Sequence, residues 1–288
     1  MKEQIKSRTG SILLVLVAIV GLSLLLYPSL SNYWNSIYST HAISVYSERV
    51  ATISEKEYTD IWESAWNYNN GIRYGSNEHI LKDSDKLTYE KLLNISGDGV
   101  MGYMEIPSIK VTLPISHGTS DEVLEKGVGH VEWSSLPVGG KSTHCVLSSH
   151  RGLPSAKLFT DLDKLELGDT FMLCILDEVL TYKVDQILIV KPEETEALSI
   201  TEGEDYCTLV TCTPYGINTH RLLVRGHRID NEDDAATVHV TSEGVVIEPL
   251  LIAPLVAIPM LIIVFIIILA LDSKNKNLTM EDEENETK

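Results

Sequence analysis

The sequence predicts an all-β domain, a barrel or a sandwich, preceded by amphipathic helices and flanked by two membrane-spanning helices. Three observations carry that prediction. Between residues 100 and 228, short segments rich in valine, isoleucine, leucine and threonine alternate with turns at Pro107, Pro114, Gly139-Gly140, Gly152, Gly168-Asp169 and Pro214; this is the rhythm of many short strands. From residue 32 to 70 no proline or glycine interrupts the chain, and apolar residues recur near helical spacing. Two apolar runs without a charge, 12–27 and 249–271, lie towards the ends.

In chain order, residues 1–31 hold Lys2, Lys6 and Arg8 ahead of the first run. That run suits a signal anchor of about 20 residues or a cleaved signal peptide with Ser29 and Ser31 near the cut. Tyr27 and Trp34, placed as interfacial aromatics, favour the anchor, with its basic end in the cytoplasm. Residues 32–99 begin with one or two helices marked by Tyr38, Tyr46, Val50, Ile53, Ile61 and Trp62. Asn69-Asn70-Gly71 is the expected left-handed end. The polar stretch 72–99 reads as a solvated linker.

Residues 100–232 form the β-domain, with strands expected at 100–106, 111–115, 144–148, 170–176, 180–190, 208–211 and 221–228. Short helices are expected at 121–127, capped by Asp121, and at 157–165. A linker, 233–248, leads to the second run at 249–271; Pro254 and Pro259 within it are tolerable in a spanning helix. Lys274 and Lys276 follow at once and hold this end in the cytoplasm too, with the acidic tail of 272–288 solvated. Residues from roughly 30 to 247 are then outside the cell.

Composition narrows the function. With 23 Lys and Arg against 41 Asp and Glu, the net charge of −18 excludes a nucleic-acid binder, which needs clustered cations to neutralise phosphates. Four cysteines are too few for a disulfide scaffold. Cys207 and Cys212, an odd number of residues apart on one strand, point to opposite faces and should not bridge. Cys145 and Cys174 read as small core residues, with a bridge between them left open.

The chemistry centres on Thr208-Leu209-Val210-Thr211-Cys212-Thr213-Pro214, a strand that Pro214 stops just beyond the sulfur. The Pro-Tyr-Gly turn returns the chain so that Arg221, on the next strand, lies beside Cys212 as a fixed positive charge. A distant histidine, in Leu147-Ser148-Ser149-His150-Arg151-Gly152-Leu153-Pro154, ends another apolar strand. A buried structural cysteine is the competing reading of Cys212 taken alone. His117, His130 and His144 suit packing roles, and His220 points away from Arg221's face. Arg151, Arg225 and Arg228 compete with Arg221. Acyl transfer needs a nucleophile, a proton donor and an oxyanion stabiliser, which Cys212, His150 and Arg221 can supply in that order.

These residues resemble the sortases, the cysteine transpeptidases of Gram-positive surfaces, whose TLxTC signature matches Thr208 to Cys212. Met101-Gly102-Tyr103, the turn from His150 to Pro154, Leu158-Phe159 and the stretch from Thr213 to Thr219 look most like class C, the pilus-assembling sortases. The resemblance covers roughly residues 95–230. It implies a closed β-barrel, catalysis by Cys212, His150 and Arg221 without a third residue orienting the histidine, and no cofactor or metal. It implies a multi-pass protein of a Gram-positive cell membrane that cleaves an LPxTG-like sorting signal after threonine. The acyl group passes through a Cys212 thioester to a lysine amine of a pilin. The implied partners are pilin or surface-protein substrates, an acceptor lysine or wall-precursor amine, and membrane lipid. Wall anchoring, a hydrolase with water as acceptor and a non-catalytic assembly scaffold are the alternatives. One departure stands out: class C sortases commonly carry an Asp-Pro-aromatic lid motif, whereas this chain reads Lys82-Asp83-Ser84-Asp85-Lys86, so either Asp83 or Asp85 serves a degenerate lid or the groove is uncovered.

Overall fold

The computed structural model describes residues 2–74 and 88–231, the side chains of 2–16, 18, 73 and 74 excepted. Two units divide the chain, Ser31–Thr241 and the remainder. Helix α1 runs from Lys2 to Val50 with Pro28 inside it. Among the described residues no helix is long and apolar enough to cross a membrane. The expected first span begins where side chains are not described, and the expected span at 249–271 lies outside the described residues.

Within Ser31–Thr241, the last turns of α1 bury Ser39, Ala42, Ile43 and Tyr46, a stripe at helical spacing. Tyr46 pins the helix to the β-domain: its hydroxyl donates to Met101 O at 2.9 Å and accepts from Leu176 N at 2.8 Å. Burying its ring contributes on the order of 2 kcal/mol. Helix α2, Glu55–Tyr74, starts at a capping serine, since Ser54 Oγ accepts the Glu57 amide at 3.2 Å. It buries Ala65 and Asn69 on the face that also carries Ile61 and Trp62.

The expected end at Gly71 is corrected: α2 runs through it to Tyr74. Asn69 is unavailable as a cap because its amide makes two bonds with one backbone unit, donating to Leu136 O at 3.1 Å and accepting from Leu136 N at 2.7 Å. The solvated linker is corrected in part as well. Tyr89 and Leu93 are buried in the main core, so the described end of 72–99 packs rather than floats.

Eight strands close into a barrel, as the resemblance implies: β1 (Val100–Ile106), β2 (Val111–His117), β3 (Val128–His130), β4 (Thr143–Ser148), β5 (Thr170–Ile175), β6 (Glu178–Val190), β7 (Asp205–Thr213) and β8 (His220–Arg228). Their order is β1-β2-β3-β4-β7-β8-β6-β5. Strand β3 is absent from the sequence expectation because three residues are too few to show alternation. The expected helix at 121–127 is one turn, Asp121–Leu124, with Ser120 rather than Asp121 at its N-cap position. The helix expected at 157–165 shrinks to a 3-10 turn, Leu162–Lys164. Phe159 and Leu162 are buried there, and Asp161 joins Lys157 and Lys164 in ion pairs that hold a tighter turn.

Alternation along the central strands sorts their side chains. Cys145, Leu147, Cys207, Leu209, Leu222 and Val224 face the barrel interior. Val146, Val210 and Leu223 form a second apolar cluster on the outer face.

Candidate active site

Strand β7 lies between β4, which it pairs in parallel, and β8, which it pairs antiparallel. A parallel pairing needs a crossover, and the chain from Ser149 through β5 and β6 supplies it. At the C-terminal end of β7, Cys212 pairs with Arg221 of β8 in register. Cys212 shares the outer face with Val210, and Arg221 shares it with Leu223, so both side chains emerge on one side. Directly opposed residues hold their Cβ atoms about 5 Å apart. Of the four cysteines, all free, Cys212 alone escapes burial.

The β4–β7 register advances from Thr143↔Asp205 to Ser148↔Val210. Continued by two residues, that register would bring His150 level with Cys212, although the ladder itself ends at Ser148↔Val210. Contacts carry the pairing past the last ladder partners: Ser149 N donates to Val210 O at 3.2 Å, and Thr211 Oγ1 donates to Ser149 O at 2.8 Å. His150 is partly exposed, and its carbonyl accepts the Phe159 amide at 3.1 Å. Cys212 and Arg221 are thus brought together across β7 and β8, and His150 lies in the loop two residues past the end of β4, the strand on the other side of β7.

Arg221 directs Nη1 at two backbone carbonyls, Asn218 O at 3.3 Å and His220 O at 3.2 Å. Among the described residues its guanidinium has these partners and no carboxylate. The competing arginines are engaged elsewhere. Arg225 grips Asp185 through Nε at 3.0 Å and Nη2 at 2.9 Å, and lies 4.1 Å over the Tyr206 ring. Arg228 sits over Tyr182 and donates to the Ile229 and Val179 carbonyls. Arg151 pairs with Asp163.

The other histidines are built into the structure. His144 is buried, with Nδ1 2.9 Å from Ser199 O and Nε2 2.7 Å from Thr208 Oγ1, and burial holds its pKa below the usual histidine value. His130, also fully buried, has Nδ1 2.9 Å from the Tyr89 hydroxyl and Nε2 2.8 Å from Ser135 O. His117 lies between the carbonyls of Gly99 and Leu92, and burial lowers its pKa too. His220 Nδ1 is 3.0 Å from the Thr219 hydroxyl.

The remaining cysteines separate as expected of Cys207, which faces the interior while Cys212 faces out. Cys145 is paired in register with Cys207, not with Cys174, which stands across from Tyr103 on another strand. Burial pushes the Cys174 thiol up to about 11. Sequence reasoning treats Arg151 only as a rival to Arg221; its adjacency to His150 is the available signal for the contacts it makes. The lid candidates Asp83 and Asp85 lie outside the described residues.

The sortase domain model matches residues 104–229. The crystal structure of sortase C1 from Streptococcus agalactiae is 50% identical with a TM-score of 0.65, over 67% of this chain and 100% of that one. Sortase C of Clostridium perfringens, solved with the C-terminal cell wall sorting motif, is 49% identical with a TM-score of 0.60, again over 67% of this chain and 100% of the other. Sortase D of Bacillus subtilis is 33% identical over 131 residues, 44% of this chain; the match spans 63% of that protein. With the TLxTC strand and the closed barrel in hand, the chain belongs to the sortase family of cysteine transpeptidases and is most like its class C members.

Proposed function

We propose that the chain is a membrane-anchored, pilus-polymerising sortase in which Cys212 is the nucleophile, His150 the proton donor and acceptor, and Arg221 the oxyanion stabiliser. The observation that carries this reading is the emergence of one unburied cysteine opposite an arginine without a described carboxylate partner, beside the register position of His150.

In the first half-reaction the Cys212 thiolate attacks the threonine carbonyl carbon of an LPxTG-like signal. The carbonyl oxygen takes up the negative charge beside the Arg221 guanidinium. Collapse breaks the Thr–Gly bond, and the protonated His150 gives its proton to the leaving amine. The product is a Cys212 thioester. A lysine amine of the next pilin then attacks it, neutral His150 takes that amine's proton, and the thiolate returns as an isopeptide forms.

Anchoring follows from the charge-free runs at 12–27 and 249–271, each with Lys or Arg on the side proposed as cytoplasmic. The described apolar side chains of the first run support it, since Val17, Ile19, Val20, Leu24 and Leu25 are all more than half exposed. The catalytic domain then stands outside a Gram-positive cell membrane.

The test is a peptide bearing an LPxTG-like motif given to the full chain in detergent, with and without a lysine-containing pilin acceptor. A thioester on Cys212 and an isopeptide product support the reading. Release of the acid at the same rate whether or not acceptor is present would make the protein a hydrolase, and absence of any acyl-enzyme would leave it a scaffold.

A further inference from the structure

We infer that Arg151 is a positioning residue, a clamp that ties the His150 loop to the end of the Cys212 strand; this rests on the catalytic roles proposed above. The need for such a tie comes from the backbone. The last ladder pair between β4 and β7 is Ser148↔Val210, and Pro214 has no N–H with which to extend β7. His150 therefore sits beyond the hydrogen bonds that would fix it against Cys212.

Side chains take over where the ladder ends. Arg151 Nη1 donates to Thr213 Oγ1 at 3.4 Å, and Nη2 donates to the Asp163 carboxylate. One guanidinium thus joins three pieces of chain: the loop bearing His150, the residue after Cys212, and the 3-10 turn Leu162–Lys164. The neighbouring loop positions are held as well. His150 O accepts from Phe159 N at 3.1 Å, and Gly152 N donates to Thr160 Oγ1 at 3.1 Å. Gly152, at φ +76°, also lies under the Tyr215 ring; a Cβ there would approach Cε2 to 2.8 Å. Residues 151 and 152 therefore touch residues 213 and 215, flanking the His150–Cys212 register on the same side in sequence.

Three features separate a clamp from a group that meets substrate. The Arg151 side chain is 9% exposed, and its Nε is buried without a hydrogen-bond partner. Thr213, one residue from Cys212 and itself buried, belongs to the opposite face of β7. Fixing a planar fork on a carboxylate and a hydroxyl at once is also a task for arginine rather than lysine, whose ammonium is a point donor.

The experiment compares the full chain in detergent as wild type, Arg151→Gln, Asp163→Asn, the double variant, Arg151→Lys and His150→Ala. It reads kcat and KM on a peptide bearing an LPxTG-like motif, together with the rate of Cys212 alkylation by iodoacetamide. Loss of the clamp should lower kcat about tenfold or more, because misplacing a catalytic group by an ångström can cost up to about 10²-fold. KM and alkylation should stay within about twofold, since Cys212 remains in its strand and the substrate loses no contact. The double variant should be no worse than Arg151→Gln alone, as two ends of one link are not additive, and Arg151→Lys should recover only part of kcat.

Turnover within about twofold of wild type in Arg151→Gln and Asp163→Asn, with His150→Ala inactive, would overturn the clamp while sparing the catalytic assignment. Full turnover in His150→Ala would instead overturn the assignment itself. Should Arg151→Gln fail to fold, Asp163→Asn alone decides between these outcomes, because that side chain is 47% exposed and its replacement leaves the fold's interior untouched.

Discussion

Cys212 and Arg221 face each other across β7 and β8, nine residues apart in the chain and directly opposed in the sheet. The turn between them brings a sulfur and a permanent positive charge to the same face without a carboxylate from the described residues between them. Arg221→Ala should lower kcat about 10²- to 10³-fold, the range for removing one oxyanion donor, with Arg221→Lys intermediate. Cys212→Ala should form no acyl-enzyme while its urea midpoint stays at the wild-type value, because a partly exposed residue near a strand's end contributes little packing. Equal turnover in Arg221→Ala and wild type would remove Arg221 from the mechanism.

His144, on β4, and His150, in the loop that follows it, offer a contrast in what a histidine can do. His144→Ala removes a fully buried ring and strands the Ser199 carbonyl and Thr208 hydroxyl. It should cost about 1–3 kcal/mol of stability while leaving turnover per folded molecule within a few-fold of wild type. His150→Ala should do the reverse, lowering turnover by about 10²-fold or more at nearly unchanged stability. Urea unfolding and initial rates on the same preparations decide it.

A pH effect on stability follows from the same residue. Burial is the first cause that lowers the His144 pKa from 6.5, and the Arg225 charge lowers it further. Between the folded and unfolded values the unfolded chain binds a proton that the folded chain refuses, so stability falls as pH drops below about 6.5. Once pH passes below the folded pKa the loss levels off. His117 acts in the same direction, whereas Asp205, whose pKa burial raises from 3.8, gains the folded state stability on acidification nearer its own range. Urea unfolding at pH 7.5 and 5.5 should show the wild type weaker at the lower value. His144→Asn should narrow that gap; an unchanged gap would exclude His144 as a contributor.

Much of this was legible in the chain because strand alternation and turn chemistry are local. The run to Cys212, the strand to Ser148 and the return at Arg221 announce themselves through β-branched residues and prolines. What joins them is not local: β4 meets β7 across a crossover of some sixty residues, and no short-range pattern encodes a parallel register. Asn69 and Tyr89 mislead for the same reason, since a cap-forming amide and a linker tyrosine are captured by distant partners, Leu136 and His130. Arg151 hides because only the folded loop reveals Asp163 and Thr213 at its fork.

Anchoring and catalysis should be separable. The unit Ser31–Thr241 contains the barrel, both helical segments packed on it, and Asn32, whose Oδ1 accepts the Lys157 amide at 2.8 Å on the loop that follows His150. A fragment of residues 32–247, without either apolar run, should be soluble and process an LPxTG-like peptide at a rate within a few-fold of the full chain in detergent. In cells, a reporter fused after Lys288 should be protected from external label. External labelling of that end would exclude the second span.

The segment before the barrel makes the sharpest departure from lidded class C enzymes. Residues 75–87 include Asp83 and Asp85 but neither proline nor an aromatic ring other than His79. Tyr89, the next aromatic, is not free to cover Cys212, because it is buried against His117 and His130 and receives the Gly118 amide at 3.0 Å. A carboxylate from this stretch reaching Arg221 would make an ion pair near the surface, worth at most about 1 kcal/mol. Closure of that strength changes the open population only about fivefold, and the open population multiplies every observed rate. Cys212 should therefore react with a small thiol reagent in the resting enzyme. Asp83→Ala or Asp85→Ala should raise the labelling rate by less than about tenfold. A hundredfold rise in either variant would show that a lid without the usual sequence closes the site.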